Sequence, residues 1–138
     1  MAASSNYAGF WKRLGAWFID AIILYFIYLI FGALAYFNNS PGESADEFFC
    51  SLFGVLMVWV YFAVLESSKW QATFGKMALG IRVTDTQGRR MSFARATGRY
   101  FGKFISTIIL GFGFWMICWT EKKQGLHDQM AHTLVINN

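Results

Sequence analysis

Asp20 is the residue whose type and position in this sequence point most directly to chemistry. It lies inside an apolar run, residues 14–37, that is long enough to cross a bilayer. A carboxylate inside a membrane helix costs about 2.5–3.5 kcal/mol on insertion scales, so it needs a cation, hydrogen-bond donors or a proton. Arg13 precedes it by seven residues, which is two helical turns on the same face. The two residues therefore predict a charged site within the membrane.

Further charged residues lie where other apolar runs end. Asp128 follows the last apolar run of the chain, and Glu66 closes the run at residues 48–65. A carboxylate at a helix C-terminus opposes the helix dipole, so we predict that Glu66 pairs with Lys69 or Lys76. The predicted charged membrane cluster consists of Arg13, Asp20 and Asp128, with Glu66, Lys76, Arg99 and His127 as supporting candidates.

Two interpretations of this cluster remain open. In the first, it lines a polar cavity that faces the cytoplasm and binds a cation or a proton. In the second, it is a structural group of ion pairs that holds three helices together, because buried charge networks also serve the specificity of a fold. The charges alone are compatible with both interpretations.

The sequence shows no pattern typical of a metal centre or of catalysis. His127 and His132 flank Asp128, but neither the HExxH spacing nor a Cys/His metal spacing is present. A proton relay is a better interpretation of His127 than a metal ligand. No nucleophile with its base and no acid–base carboxylate pair follows from the spacing of the residues. We therefore expect no cofactor, no metal and no enzymatic activity.

The composition is that of an α-helical integral membrane protein. Of the 138 residues, 56% are apolar and only 14% are charged, against about 25% in soluble domains. Two runs, residues 14–37 and 48–65, meet the length of a spanning helix, and a third at residues 104–120 is marginal. The first run carries Asp20 and exceeds the length of a signal-peptide core, so we expect it to remain in the membrane.

The basic residues predict the orientation in the membrane. All twelve Lys and Arg residues lie before the first run, between Lys69 and Lys103, or at Lys122 and Lys123. The loop at residues 38–47 has none and carries three acidic residues. The positive-inside rule then places the N-terminus and the basic segment in the cytoplasm and the acidic loop outside.

We predict a single membrane domain over residues 1–138. Its helices run from about 12 to 37 and from about 45 to 66, followed by a cytoplasmic segment at 67–91 and a C-terminal segment at 124–138. Alternating patterns at residues 81–84 and 133–136 predict two strands that pair in a small cytoplasmic β ladder.

The predicted ladder constrains the topology of residues 92–123, which lie between its two strands. Both strands must be on the cytoplasmic side, so the C-terminus must be there too. We predict a membrane hairpin whose first helix is capped by Ser92 and which breaks at residues 111–113. The alternative is a third spanning helix that leaves the C-terminus outside. The predicted fold is thus two spanning helices plus a third membrane helix or a helical hairpin.

Three segments resemble the RDD family of small bacterial membrane proteins, named for one Arg and two Asp residues. They are residues 13–20, residues 71–83, and residues 124–128 followed by Thr-Leu-Val at 133–135. By position, the named residues are Arg13, Asp20 and Asp128. The resemblance implies a multi-pass protein of the bacterial inner (cytoplasmic) membrane, and a transporter that exchanges ions or protons.

Two functions are compatible with these features. One is a small transporter or cation/proton exchanger, which we expect to be a homo-oligomer because one short chain does not easily enclose a pathway. The other is a non-transporting adaptor or assembly subunit that binds a membrane-protein partner through the basic face of residues 69–103 and the C-terminal strand. Residues 88–90 are suited to anionic lipid headgroups of the bilayer. A monovalent cation or a proton is the expected ligand, and nucleic acid is not an expected partner.

Overall fold

The computed structural model of the chain describes residues 6–38, 44–109 and 112–138. Within these ranges the protein is mainly helical and contains one small sheet, as the sequence predicts. The elements are α1 (Phe10–Asn38), α2 (Ser44–Ser67), α3 (Phe74–Ala78), β1 (Ile81–Asp85), α4 (Phe93–Ile108), α5 (Phe112–Trp119), α6 (Leu126–Met130) and β2 (Thr133–Asn137).

Helix α1 has the length and the surface of a membrane helix. In the described part of the chain, it is the one helix that meets the length test for a span, over the 25 residues Phe10–Leu34. Large apolar side chains such as Phe18 and Tyr25 are more than half exposed along it. A soluble protein would bury such a surface, whereas lipid covers it at no cost. The apolar stretch of α2 is shorter, Ser51–Ser67, so the second span stays a prediction.

Helices α4 and α5 form two arms rather than one continuous helix. The hydroxyl of Ser92 accepts a hydrogen bond from the Arg95 amide at 3.4 Å, so it caps α4 as predicted. Helix α4 ends at Ile108, and α5 begins at Phe112, inside the predicted break, and packs back against α4. Residue 111 lies outside the described residues. The sequence therefore located the interruption, and the number of membrane crossings stays a prediction.

The two strands pair as predicted. β1 and β2 run antiparallel with Val83 opposite Val135, and both side chains are buried. A third segment, which the sequence analysis did not identify, lies along β2: the amide of Ala8 donates to Val135 O at 2.8 Å, and the amide of Asn137 donates to Asn6 O at 2.7 Å. The N-terminal segment, β1 and the C-terminal strand therefore lie together on one side of the protein.

Two short helices that the sequence analysis did not predict complete the fold. Helix α3 packs against α1, and α6 packs against α4. At the start of α6, a carboxylate oxygen of Asp128 accepts a hydrogen bond from the Gly125 amide at 3.2 Å, which satisfies one amide of the first turn. Helix α3 carries Lys76 and helix α6 carries Asp128, and both charged side chains pair with residues of the longer helices.

Candidate functional site

Arg99 lies at the centre of a buried group of ion pairs. Its Nη1 donates to Glu66 Oε2 at 2.8 Å, and its Nη2 donates to Asp128 Oδ1 at 2.6 Å. Lys76 forms an ion pair with the other oxygen of Glu66, and Arg13 forms one with the other oxygen of Asp128. These five residues, hereafter the ion-pair cluster, join α1, α2, α3, α4 and α6.

Burial makes each member of the ion-pair cluster dependent on its partners. Arg99, Glu66 and Asp128 have at most 1% of their surface exposed. Burial alone would raise the pKa of Asp128, but the guanidinium groups of Arg99 and Arg13 hold that pKa far below its usual range. Burial lowers the pKa of Lys76, and the carboxylate of Glu66 opposes this effect. The cluster is therefore a set of paired charges.

Arg13 also links the N-terminal segment to the segment that follows α5 through two hydrogen bonds. Its Nε donates to the carbonyl oxygen of Ala8 at 3.1 Å, and its Nη2 donates to the carbonyl oxygen of Lys123 at 2.6 Å. With the ion pair to Asp128, the guanidinium uses all three of its nitrogen atoms. Arg13 therefore has a structural role that does not involve Asp20.

Asp20 has an environment of its own, in which the hydrogen-bond donors are neutral. Its Oδ1 accepts hydrogen bonds from the Tyr61 hydroxyl and the Gly75 amide, both at 2.8 Å, and its Oδ2 accepts one from the Thr73 hydroxyl at 2.5 Å. Only 1% of Asp20 is exposed. No ion pair to it occurs among the described residues. The structure thus pairs Arg13 with Asp128, and among the described residues no hydrogen bond or ion pair joins Asp20 to either of them.

Gly75 is what allows α3 to approach Asp20. A Cβ atom at this position would lie 2.1 Å from the Ala16 carbonyl oxygen and 2.9 Å from Asp20 Cγ. A Cβ atom essentially never lies this close to a non-bonded heavy atom, so a side chain here requires α3 to move away from α1. The Gly75 amide reaches the carboxylate because the residue has no side chain.

His127 is buried beside the ion-pair cluster, with 4% of its surface exposed. Its Nε2 lies 3.4 Å from Asp128 Oδ1, and its ring packs against Phe114. Burial lowers the pKa of His127 to about 3, so the imidazole is neutral at pH 7. The proton-relay interpretation of His127 stays a prediction. The Nδ1 atom has no hydrogen-bond partner among the described residues.

Lys103 belongs to the site, although the sequence analysis did not select it. Its Nζ lies 3.8 Å from Glu66 Oε1 and 4.3 Å from the centre of the Phe62 ring. It makes no hydrogen bond to an acceptor in the described ranges. The signal available in the sequence was its spacing, one turn after Arg99 on the same face of α4.

A cavity of about 530 Å³ lies against these residues and is called the membrane cavity below. One part of its wall is charged or polar, and the rest is apolar and rich in aromatic side chains. Its charged and polar lining includes Arg13, Asp20, Lys76, Arg99, Lys103 and His127, and its apolar lining includes Trp17, Phe62, Tyr100, Phe104, Phe114 and Trp115.

Comparison with known proteins identifies the family. The profile of the RDD family matches residues 7–132. "Uncharacterized protein YxaI" of Bacillus subtilis (strain 168) is 37% identical over 147 residues, which cover 94% of this chain and 96% of that protein. "Uncharacterized membrane protein YteJ" of the same strain is 29% identical over 141 residues, which cover 95% of this chain and 81% of that protein. No solved structure matches the chain. The chain therefore belongs to the RDD family and is a membrane protein of that family.

Proposed function

We propose that the protein is a small membrane transporter, a cation or proton exchanger, in which Asp20 binds and releases the exchanged ion. One observation carries this proposal: Asp20 is buried at the wall of the membrane cavity, and its described donors are neutral. Glu66 and Asp128, in contrast, are each paired with cationic side chains. Lys76 interacts with Asp20 electrostatically but forms its ion pair with Glu66. A buried carboxylate without an ion-pair partner is stabilised by binding a proton or a monovalent cation.

The groups around Asp20 support such an exchange. The hydroxyl groups of Tyr61 and Thr73 can rotate, so each can donate to the carboxylate or accept from its protonated form. The site therefore keeps its hydrogen bonds in both protonation states. Because Asp20 lines the membrane cavity, an ion that enters the cavity comes close to this residue. The proposal includes assembly of several copies, which would enclose a pathway that one short chain does not, and no enzymatic activity.

Replacing Asp20 by asparagine tests the proposal, because the amide fits the same hydrogen bonds. Its oxygen can accept from the Tyr61 hydroxyl and the Gly75 amide, and its NH₂ group can donate to a rotated Thr73 hydroxyl. We expect Asp20→Asn to fold but to lose proton flux, down to the level of protein-free liposomes. The measurement is dye-reported proton movement in proteoliposomes under an imposed Na⁺ or K⁺ gradient.

Glu121→Gln is the matched control, since it makes the same chemical change at an exposed position near the end of the hairpin. It should retain the flux of the wild-type protein. Wild-type flux in a folded Asp20→Asn protein would contradict the role of Asp20. Absence of flux from the wild-type protein itself would contradict transport.

We also propose that the side formed by the N-terminal segment, β1 and β2 faces the cytoplasm. Exposed basic residues on and near β1 support this orientation, in particular Arg82, Arg89 and Arg90. A reporter that fluoresces only in the cytoplasm should be active when fused after Asn138. A phosphatase that is active only outside the cytoplasm should be inactive at the same position. The opposite pattern would overturn the orientation, because Val135 is hydrogen-bonded to the N-terminal segment.

A second candidate function, a non-transporting adaptor, is favoured by the same exposed arginines. Arg82, Arg89, Arg90 and Arg95 are exposed, so they are available to an acidic surface of another membrane protein. The flux assay separates the two candidates. A wild-type protein that is folded, oriented and without flux would favour the adaptor.

A further inference from the structure

We propose that the membrane cavity binds one anionic phospholipid whose headgroup carries a hydroxyl group. In this site the phosphate pairs with Lys103, the hydroxyl donates to Nδ1 of His127, and an acyl chain lies along the aromatic wall. The inference goes beyond the proposed transport function and does not depend on it, since a lipid can bind whether or not an ion moves.

The charges around the cavity favour an anion. If all of them are ionised, the cationic side chains exceed the carboxylates by one, and a proton on Asp20 would increase the excess. A region of low dielectric constant does not tolerate such an excess without a counter-charge. The cations are Arg13, Lys76, Arg99 and Lys103, and the carboxylates are Asp20, Glu66 and Asp128.

Lys103 is the cation that is left for a ligand. Its Nζ lies 3.8 Å from Glu66 Oε1, whereas Arg99 approaches the carboxylates of Glu66 and Asp128 to 2.8 and 2.6 Å. An ammonium group has three donors, and Lys103 makes no hydrogen bond to an acceptor among the described residues. A phosphate oxygen at this position would satisfy it.

His127, which lines the same cavity, has a second atom that lacks a partner among the described residues. Its Nε2 is the ring nitrogen nearer the carboxylate of Asp128, so the ring proton belongs on Nε2 and Nδ1 is an acceptor. The Nδ1 atom is buried and has no partner in the described ranges. An acceptor beside an anion site requires a ligand that also carries a donor, which a headgroup hydroxyl provides.

The apolar wall identifies the ligand as a lipid rather than a free anion. Trp17, Phe104 and Trp115 line the cavity, and each is more than half exposed. The cavity therefore presents an apolar wall along which a hydrocarbon chain from the bilayer can lie. A hydrated anion would gain nothing from this wall, whereas a hydrocarbon chain is stabilised by it. The volume of about 530 Å³ lies in the range of about 300–1,000 Å³ found for small-molecule sites.

Native mass spectrometry of the full chain released from a neutral detergent tests this assignment. The probes are phosphatidylglycerol, phosphatidylcholine with the same chains, phosphatidylmethanol, which has the same charge without the hydroxyl, and free glycerol phosphate. We expect one phosphatidylglycerol to bind at least about tenfold more tightly than phosphatidylcholine, as for a hydrogen bond to a charged group. Phosphatidylmethanol should bind more weakly than phosphatidylglycerol, and free glycerol phosphate should not compete.

Lys103→Gln is the variant, and Arg95→Gln, an exposed cation on the same helix, is its control. Lys103→Gln should remove the preference for phosphatidylglycerol, and Arg95→Gln should keep it.

Equal binding of the glycerol and choline lipids would overturn the proposal, even if no variant folds. If Lys103→Gln and Arg95→Gln lose the preference for phosphatidylglycerol equally, the assignment of the site to Lys103 is overturned. If phosphatidylmethanol binds as tightly as phosphatidylglycerol, the role of His127 is overturned. Competition by free glycerol phosphate would show an anion site without lipid and would also overturn the proposal. None of these results depends on ion flux, so this proposal and the transport proposal can fail separately.

Discussion

Arg99→Met lowers the free energy of unfolding by about 3–5 kcal/mol, the usual cost of removing one partner of a buried ion pair. Methionine fills a similar volume, so the loss reports the charge rather than a cavity. Without the guanidinium, Glu66 and Asp128 lose the cation that lies between them. The measurement is denaturant unfolding of the purified protein in detergent micelles.

Arg95→Met is the control for this prediction. Arg95 lies one turn earlier on the same face of α4 but is exposed, so the same change should alter stability by no more than about 0.5 kcal/mol. A similar loss in both variants would mean that α4 needs positive charge in general. A negligible loss in Arg99→Met would show that the ion-pair cluster does not hold the helices together.

Gly75→Ala has the second large expected effect, a fall in the free energy of unfolding of about 2–6 kcal/mol. The added methyl group would lie 2.1 Å from the Ala16 carbonyl oxygen, and a backbone atom cannot move aside as a side-chain end can. Overpacking of this kind costs about 1–3 kcal/mol, and the loss of the hydrogen bond from the Gly75 amide to Asp20 adds about 1–3 kcal/mol. Denaturant unfolding in detergent micelles measures the total change in the free energy of unfolding.

Gly98→Ala makes the same change where nothing lies within 4 Å of the added atom. Gly98 is an interior residue of α4, so alanine there should stabilise the helix by about 0.5–1 kcal/mol. The two alanine variants should therefore shift stability in opposite directions. A Gly75→Ala protein as stable as the wild type would show that α3 does not need its close approach to α1.

The parts of the fold that the sequence predicts are those set by local patterns. Alternating patterns at residues 81–84 and 133–136 located the strands. Side chains that alternate with a period of two place one face of a strand in the core, and few other backbone conformations do so. The serine at position 92 marked the start of α4, because its side chain and the backbone it caps are three residues apart. Each of these predictions depends on neighbours along the chain.

The candidate residues of the site were selected by residue type, and one of their pairings, Glu66 with Lys76, was also predicted. Charge and burial were enough to select the candidate residues, since an ionised group in an apolar run must find a partner. Arg13 was expected to share a site with Asp20 because of their helical spacing. Of the two carboxylates predicted to join it, Arg13 pairs with Asp128 and not with Asp20, because α6 brings the Asp128 carboxylate to the N-terminal end of α1. No local pattern predicts a contact between residues so far apart in the sequence.

The segment at residues 71–76 shows how a motif becomes interpretable once the fold is known. The Thr73 hydroxyl and the Gly75 amide donate to Asp20, and the Lys76 ammonium pairs with Glu66. Sequence alone gave this segment no site role beyond the lysine, because α3 is too short to predict. Its residues connect the Asp20 site to the ion-pair cluster through a single turn of helix.

The pairing of residues 6–8 with β2 has a consequence for the order in which the protein is made. A ribosome delivers α1 to the membrane well before it has synthesised Asp128 and Val135, the partners of Arg13 and Ala8. During that interval Arg13 has no carboxylate from α6, and the first segment has no strand to pair with. The first helix therefore enters the bilayer before Arg13 has its carboxylate, and α6 and β2, which are synthesised later, complete the structure around it.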